Sequence, residues 1–184
     1  MKKLTYILIA LLLTILTACS STASKDGAEK KEKEQTVELT LPADLLQGQD
    51  LDSMITEAKT AGVTEATKNE DGSLTYIMTQ ATQEKLMIDF ETSIVDSIKE
   101  TTTSGEYPTI KEITHNDSFT EFTFVVNQEA FEQSFDAFAS IPYTVAGTMY
   151  QLYSGTNYED TQVTLLYKDQ ATEEVFNEVV YPRD

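Results

Sequence analysis

The chain has 184 residues, with 31 acidic against 13 basic side chains and a formal net charge of −18. Nucleic-acid affinity rests on Lys and Arg neutralising phosphates, so this balance excludes a nucleic-acid partner. One cysteine and one histidine in the whole chain also exclude a disulfide framework and a histidine-based metal cluster.

Lys2 and Lys3 give a basic start, Leu4 to Leu16 an apolar run, and Thr17 and Ala18 a small-residue end. That is the layout of a secretory signal peptide. A permanent membrane span needs about 20 apolar residues, so the run is too short for one. The stretch Leu16-Thr17-Ala18-Cys19 resembles the lipobox of bacterial lipoproteins. The resemblance implies a diacylglycerol on the Cys19 sulfur, cleavage between Ala18 and Cys19, and a mature chain that begins at the lipidated cysteine. Residues 1–18 are then the signal peptide. An ordinary signal peptide cut after Ala18 or Ala23 is the alternative, and it leaves an unpaired thiol in an oxidising compartment.

Removing residues 1–18 takes away two lysines and no acid, leaving 11 basic against 31 acidic side chains and a charge of −20. Residues 20–35 carry four lysines and four acids and sum to zero. They hold no aromatic or large aliphatic side chain, so they cannot offset the entropy of ordering and read as a tether following Cys19. As a random coil the tether reaches about 20 to 24 Å, and fully stretched about 50 to 58 Å. All the net charge therefore falls on residues 36–184, read as a single α+β domain. Anionic head groups repel such a domain, so the membrane contact must come from the lipid, and two acyl chains hold where one is marginal.

Within that domain Thr36–Leu41 alternates apolar and polar residues and predicts a half-buried strand that Pro42 ends. Asp50 predicts the cap of a short helix with Leu51, Met54, Ile55, Ala58 and Ala61 on one face, closed by Gly62. Val63–Thr79 predicts a hairpin turning at Asp71-Gly72, and Ala81 to about Thr102 a long helix with the stripe Leu86, Met87, Phe90, Ile94 and Ile98. Ile110–Asn127 repeats the hairpin, turning around Asn116 to Ser118. From Gln128 the helix repeats, with Ala130, Phe131, Phe135 and Phe138 inside. The two units correspond at a spacing of 47 to 48 residues, VTEATKNEDGS against IKEITHNDSFT. Pro142 should kink or split the second helix, leaving Tyr143–Tyr153 as a separate helix ending at Gly155. Gln162–Lys168 and Val175–Tyr181 predict a third hairpin. The expected fold is α+β in two layers: an antiparallel sheet of up to seven strands with two long helices on one face, built from repeated hairpin-helix units.

Chemistry-bearing residues are sparse. His115 lies at a predicted hairpin tip, where turn chemistry explains it better than a catalytic role. Asn69-Glu70-Asp71-Gly72 has part of a calcium-loop pattern. With Gly72 at loop position 6, however, Thr67 and Met78 fall where oxygen ligands belong, so a hairpin turn is the better reading. Glu159-Asp160 and Glu173-Glu174 are paired carboxylates in predicted loops, expected by number in so acidic a chain. Neither a glycine-rich phosphate loop nor a serine-hydrolase elbow occurs. No cofactor, metal or catalytic residue is assigned.

Two surfaces remain as binding candidates. Tyr143, Tyr150 and Tyr153 share a helical spacing around Gly147, where the missing side chain leaves room for a partner. Thr64, Thr75, Thr120, Thr123 and Thr164 recur on the predicted outer sheet face, and an open face or edge can receive an extended peptide.

Gly62-Val63-Thr64-Glu65-Ala66-Thr67-Lys68-Asn69 and Asp117-Ser118-Phe119-Thr120-Glu121-Phe122-Thr123 resemble stretches of small uncharacterised lipoproteins of Gram-positive bacteria. The resemblance implies location and fold class and carries no activity. The expected function is a non-enzymatic binding or protein-interaction module, lipid-anchored on the extracytoplasmic face of the cell membrane, with an envelope protein or peptide as partner. The alternatives are a cell-envelope hydrolase using carboxylates and a small-ligand carrier.

Overall fold

The computed structural model describes residues 35–182. The expected signal peptide, Cys19 and the tether up to residue 34 lie outside the described residues. Strand β1 (Thr36–Leu41) leads through a short 3-10 turn, Ala43–Leu46, into helix α1 (Leu51–Thr60). Asp50 caps α1, its Oδ1 accepting from the amides of Asp52 at 3.1 Å and Ser53 at 3.3 Å. Strands β2 (Glu65–Lys68) and β3 (Leu74–Thr79) form the first hairpin, followed by the long helix α2 (Gln80–Thr103). Strands β4 (Ile110–His115) and β5 (Glu121–Val126) form the second, followed by the single-turn helix α3 (Gln128–Glu132), a 3-10 segment Asp136–Ser140, and helix α4 (Ile141–Tyr153). Strands β6 (Val163–Asp169) and β7 (Val175–Tyr181) close the chain.

The fold is α+β in two layers with seven strands, and these strands form two sheets rather than one. The first sheet has the order β1-β3-β2, all antiparallel. The second has the order β4-β5-β6-β7, and its central pair β5–β6 is parallel. A parallel pair needs a long crossover, and residues 127–162, with α3 and α4, supply it. Leu39, Leu41, Leu74, Tyr76 and Met78 line the inner face of the first sheet, and Phe122, Phe124, Val126, Val163, Leu165 and Tyr167 that of the second. Both long helices cover both sheets. Leu86 of α2 with Met149, Leu152 and Tyr153 of α4 packs on the first core, while Phe90, Ile94 and Ile98 with Tyr143, Ala146 and Tyr150 packs on the second.

The internal repeat survives in the backbone of the hairpins. Asn69 and Asn116, 47 residues apart, open the two turns, each with a side-chain amide donating to a threonine or serine hydroxyl across the turn. Gly72 and its counterpart Phe119 both take the left-handed conformation, at φ +87° and +52°. For a non-glycine residue this costs about 1–2 kcal/mol. Burying a phenylalanine ring yields about 1.5–3 kcal/mol, and Phe119 is 1 % exposed. Burial therefore outweighs strain at the second turn. Thr79 and Asn127 close the units as equivalent helix caps, accepting from the amides of Thr82 at 3.1 Å and Ala130 at 3.0 Å.

After the caps the repeat fails. The second long helix is broken twice, and Ala130, Phe135 and Phe138 are exposed rather than inside. Ser134 accepts the Asp136 amide at 3.1 Å and turns the chain out of α3. Pro142 then stands in the first turn of α4, where its missing N–H is harmless. The helical phase that would have put Phe135 and Phe138 over the core is lost. Their rings stack on each other in solvent instead, 6.2 Å apart.

Candidate functional site

The candidate site is built on the open edge of β1. Gln80 N–H donates to the Gln35 carbonyl at 2.9 Å, which fixes residues 35 and 80 as a mutually bonded pair in the antiparallel register. Bonded and non-bonded pairs alternate, so Val37, Leu39 and Leu41 direct their backbone groups at β3. Thr36, Glu38 and Thr40 then turn their N–H and C=O groups to the other side, where no strand among the described residues pairs with β1.

Facing that edge is the chain that leaves α4. Gly155, at φ +97°, ends the helix: its amide donates to Leu152 O at 3.0 Å and that of Thr156 to Gln151 O at 2.9 Å. These two bonds satisfy the last carbonyls of the helix and redirect the chain sharply. Gln151, buried, pins the returning segment. Its Nε2 donates to Gln162 O at 3.0 Å and its Oε1 accepts from Gln162 N at 3.1 Å. From α2, Gln83 donates to the Tyr153 carbonyl at 2.6 Å. Between β1 and this fixed wall lies a groove of about 400 Å³, lined by residues 37–40 and Pro42 on one side, by Leu152, Tyr153 and residues 155–158 on the other, and by Gln83. Among the described residues that line it, Glu38 is the only charged one. The groove offers strand backbone, hydroxyls and tyrosine rings. The described residues that line it include no histidine or cysteine, and Glu38 is the one carboxylate among them.

The tyrosine surface expected from the sequence is divided between core and groove. Tyr143 is buried against Phe122 and Phe124, and its hydroxyl lies 2.7 Å from Thr101 Oγ1. Gly147 leaves no room for a partner, because a Cβ there would stand 2.4 Å from the Phe119 carbonyl oxygen and 2.8 Å from Val163 Cγ2. Its missing side chain is what lets α4 lie against the second sheet. Tyr150 packs its ring 4.6 Å from Phe119. Of the four residues only Tyr153 reaches the groove.

Burial, with the Tyr76 hydroxyl as a lesser cause, pushes the Tyr153 phenol up to about 12, and burial also raises Tyr76, Tyr143, Tyr150 and Tyr167. A phenol raised in the fold contributes stability that is complete below its unfolded value of 10 and is lost as pH climbs through the folded one. Alkaline titration should therefore show phenolate absorbance lagging behind that of free tyrosine above pH 10 and then appearing together with loss of near-ultraviolet dichroism. Free-tyrosine titration with the fold intact would contradict the packing described.

The remaining candidates resolve into turns and fastenings. His115 is exposed, its Nδ1 2.9 Å from Asn116 O and its ring stacked 4.3 Å from Phe119, so it covers the strained, buried phenylalanine. Asp71 accepts from the amide and hydroxyl of Ser73, which makes Asn69–Gly72 a hairpin turn. Glu159 and Asp160 lie in a 3-10 turn, and Glu173 takes φ +62° in the β6–β7 turn. Thr123 and Thr164 share the outer face of the second sheet and Thr75 that of the first, while Thr64 and Thr120 precede their strands, so the threonines do not make one face.

Sequence reasoning missed two buried carboxylates. Asp136 Oδ2 accepts from the Thr109 amide at 2.9 Å and hydroxyl at 2.6 Å. Asp169 accepts from the amides of Gln128, Ala171 and Thr172. Burial alone would push the Asp169 carboxyl up, but these N–H donors together hold it below the ordinary value. Both groups fasten loops. Nothing in the local pattern of either aspartate sets it apart from 25 other carboxylates after residue 35.

No family model, curated protein or solved structure matches this chain.

Proposed function

We propose that this chain is a lipid-anchored, extracytoplasmic binding module without catalytic activity, held to the membrane through Cys19, and that the groove along β1 is where it takes its partner. The observation that carries the reading is the free edge of β1 facing a wall fixed by Gln151 and Gly155. An unprotected edge strand is an aggregation hazard that proteins ordinarily cover or charge, and here it is set into a groove instead. The basic-then-apolar leader and the lipobox resemblance support the location. The buried aspartates give the hydrolase alternative no support, since both are engaged with backbone amides.

Two outcomes are expected. Radiolabelled palmitate should label the chain in cells, and Cys19→Ala should abolish the label and release the protein from the membrane fraction, because the acidic domain has no attraction of its own for anionic lipid. A Cys19→Ala protein that stays on the membrane refutes the anchor. For the groove, a photo-cross-linking amino acid at Tyr158 on intact cells should capture one envelope polypeptide, while the same probe at the exposed Val175 of β7 should not. Equal capture from both positions would place binding elsewhere.

A further inference from the structure

The groove resolves into a partner class. Resting on the reading of this groove as the binding site, we infer that it recognises an extended, basic peptide segment, added to the first sheet as a fourth strand beside β1. The backbone supplies the first part. The outward N–H and C=O groups of Thr36, Glu38 and Thr40 recur every second residue, the spacing at which one strand presents its bonding groups to another. Pro42, without an N–H, ends the row at one end. A strand laid there would continue the β1–β3 ladder without disturbing it, because that ladder uses the alternate residues. Main-chain bonds supply affinity in such additions and the flanking surfaces supply selectivity.

The wall supplies the second part. On the core side of the sheet the added strand would meet Leu152, Tyr153 and Tyr158, so alternate residues of the partner must be apolar or aromatic, and the others face solvent. Charge supplies the third. Among the described residues the groove is lined by Glu38 and by no lysine or arginine, and Asp44, Glu159 and Asp160 follow its lining residues closely along the chain. The domain beyond residue 35 carries 27 carboxylates against seven cations. An acidic segment would be repelled on approach, while lysine or arginine flanking the apolar core would be attracted and steered in.

The test uses the full chain and synthetic peptides of alternating valine and threonine, as long as β1, flanked by lysine in one version and glutamate in the other. Amide exchange read residue by residue should show that the lysine peptide slows Glu38 and Thr40 by about tenfold or more at saturation. N-methylating the peptide's alternate amides on its β1-facing side should weaken binding about tenfold or more, since those donors are then gone. The glutamate version should bind about tenfold or more weakly. Glu38→Pro removes one outward donor, together with the Glu38 charge, at a site where an edge strand tolerates proline. It should weaken the lysine peptide about tenfold or more beyond Glu38→Gln, which removes the charge alone, while leaving exchange in α2 and β5 unchanged.

Equal binding of N-methylated and plain peptide, or binding without protection of Glu38 and Thr40, overturns strand addition while leaving the groove as the binding site. Equal binding of the two flanked versions overturns the basic partner. Protection of the same amides before any peptide is added overturns the proposal as well: if independent of concentration it assigns the edge to residues 20–34 of the same chain, and if concentration-dependent to a second copy. Failure of every peptide to bind, together with failure of cross-linking from Tyr158, overturns the binding-module reading itself.

Discussion

Gly147→Ala should destabilise the folded chain by about 3 kcal/mol or more, at the upper end of what overpacking a core costs. Helix propensity alone predicts the opposite sign, since alanine in a helix interior is better than glycine by about 1 kcal/mol. Contact distance decides between them. The added Cβ would lie 2.4 Å from the Phe119 carbonyl oxygen, 2.8 Å from Val163 Cγ2 and 3.3 Å from Phe122 Cε2. The nearest of these is backbone, and it belongs to a residue already held in the left-handed conformation, its ring packed between His115 and Tyr150. It cannot retreat without giving up that packing. A domain of this size has about 5–15 kcal/mol of stability in all, so the substitution should lower the denaturant midpoint strongly. A Gly147→Ala protein as stable as the parent would mean that α4 does not press on the second sheet as described.

Asp136→Ala should cost about 2–4 kcal/mol. It deletes two charge-assisted bonds and leaves the Thr109 amide, together with its hydroxyl, buried without an acceptor. The bond pair ties the 3-10 segment Asp136–Ser140 to the residue preceding β4, so the loss should be felt as loosening of residues 133–140 more than of the sheets. Asp136→Asn keeps one acceptor oxygen and should lose less. Urea unfolding of the two variants gives the comparison, and equal losses would mean that the acceptor oxygen retained by asparagine does not hold Thr109.

Hairpins were the most legible part of the chain, because alternation and turn residues are local signals. Thr36–Leu41, the three hairpins and the caps at Asp50 and Gly155 stand where the pattern placed them, and the repeat proved deep enough to match Asn69 with Asn116 and Gly72 with Phe119. Sheet partnership was not legible. Whether β5 pairs with β6 or with β3 depends on how residues 127–162 cross over, and no local pattern encodes that. The stripe Ala130, Phe131, Phe135 and Phe138 misled for a related reason: helical spacing was read through Ser134 and Asp136, whose side chains hydrogen-bond in ways that end the helix.

The candidate site was half visible. Tyr153 was singled out and lines the groove, while Tyr143 and Gly147 turned out to be packing residues. The sequence lets an open edge suit an extended peptide but does not say which edge. That depended on the order β1-β3-β2 and on the wall after α4, and both arise only when distant segments meet.

The most direct measurement of the central claim is cross-linking from Tyr158 on intact cells, repeated in the Glu38→Pro background. Binding along the β1 edge predicts adducts on one extended, lysine- or arginine-flanked segment of a single envelope protein, reduced about tenfold or more by the proline. Adducts scattered over unrelated proteins, or a single adduct indifferent to Glu38→Pro, would contradict it.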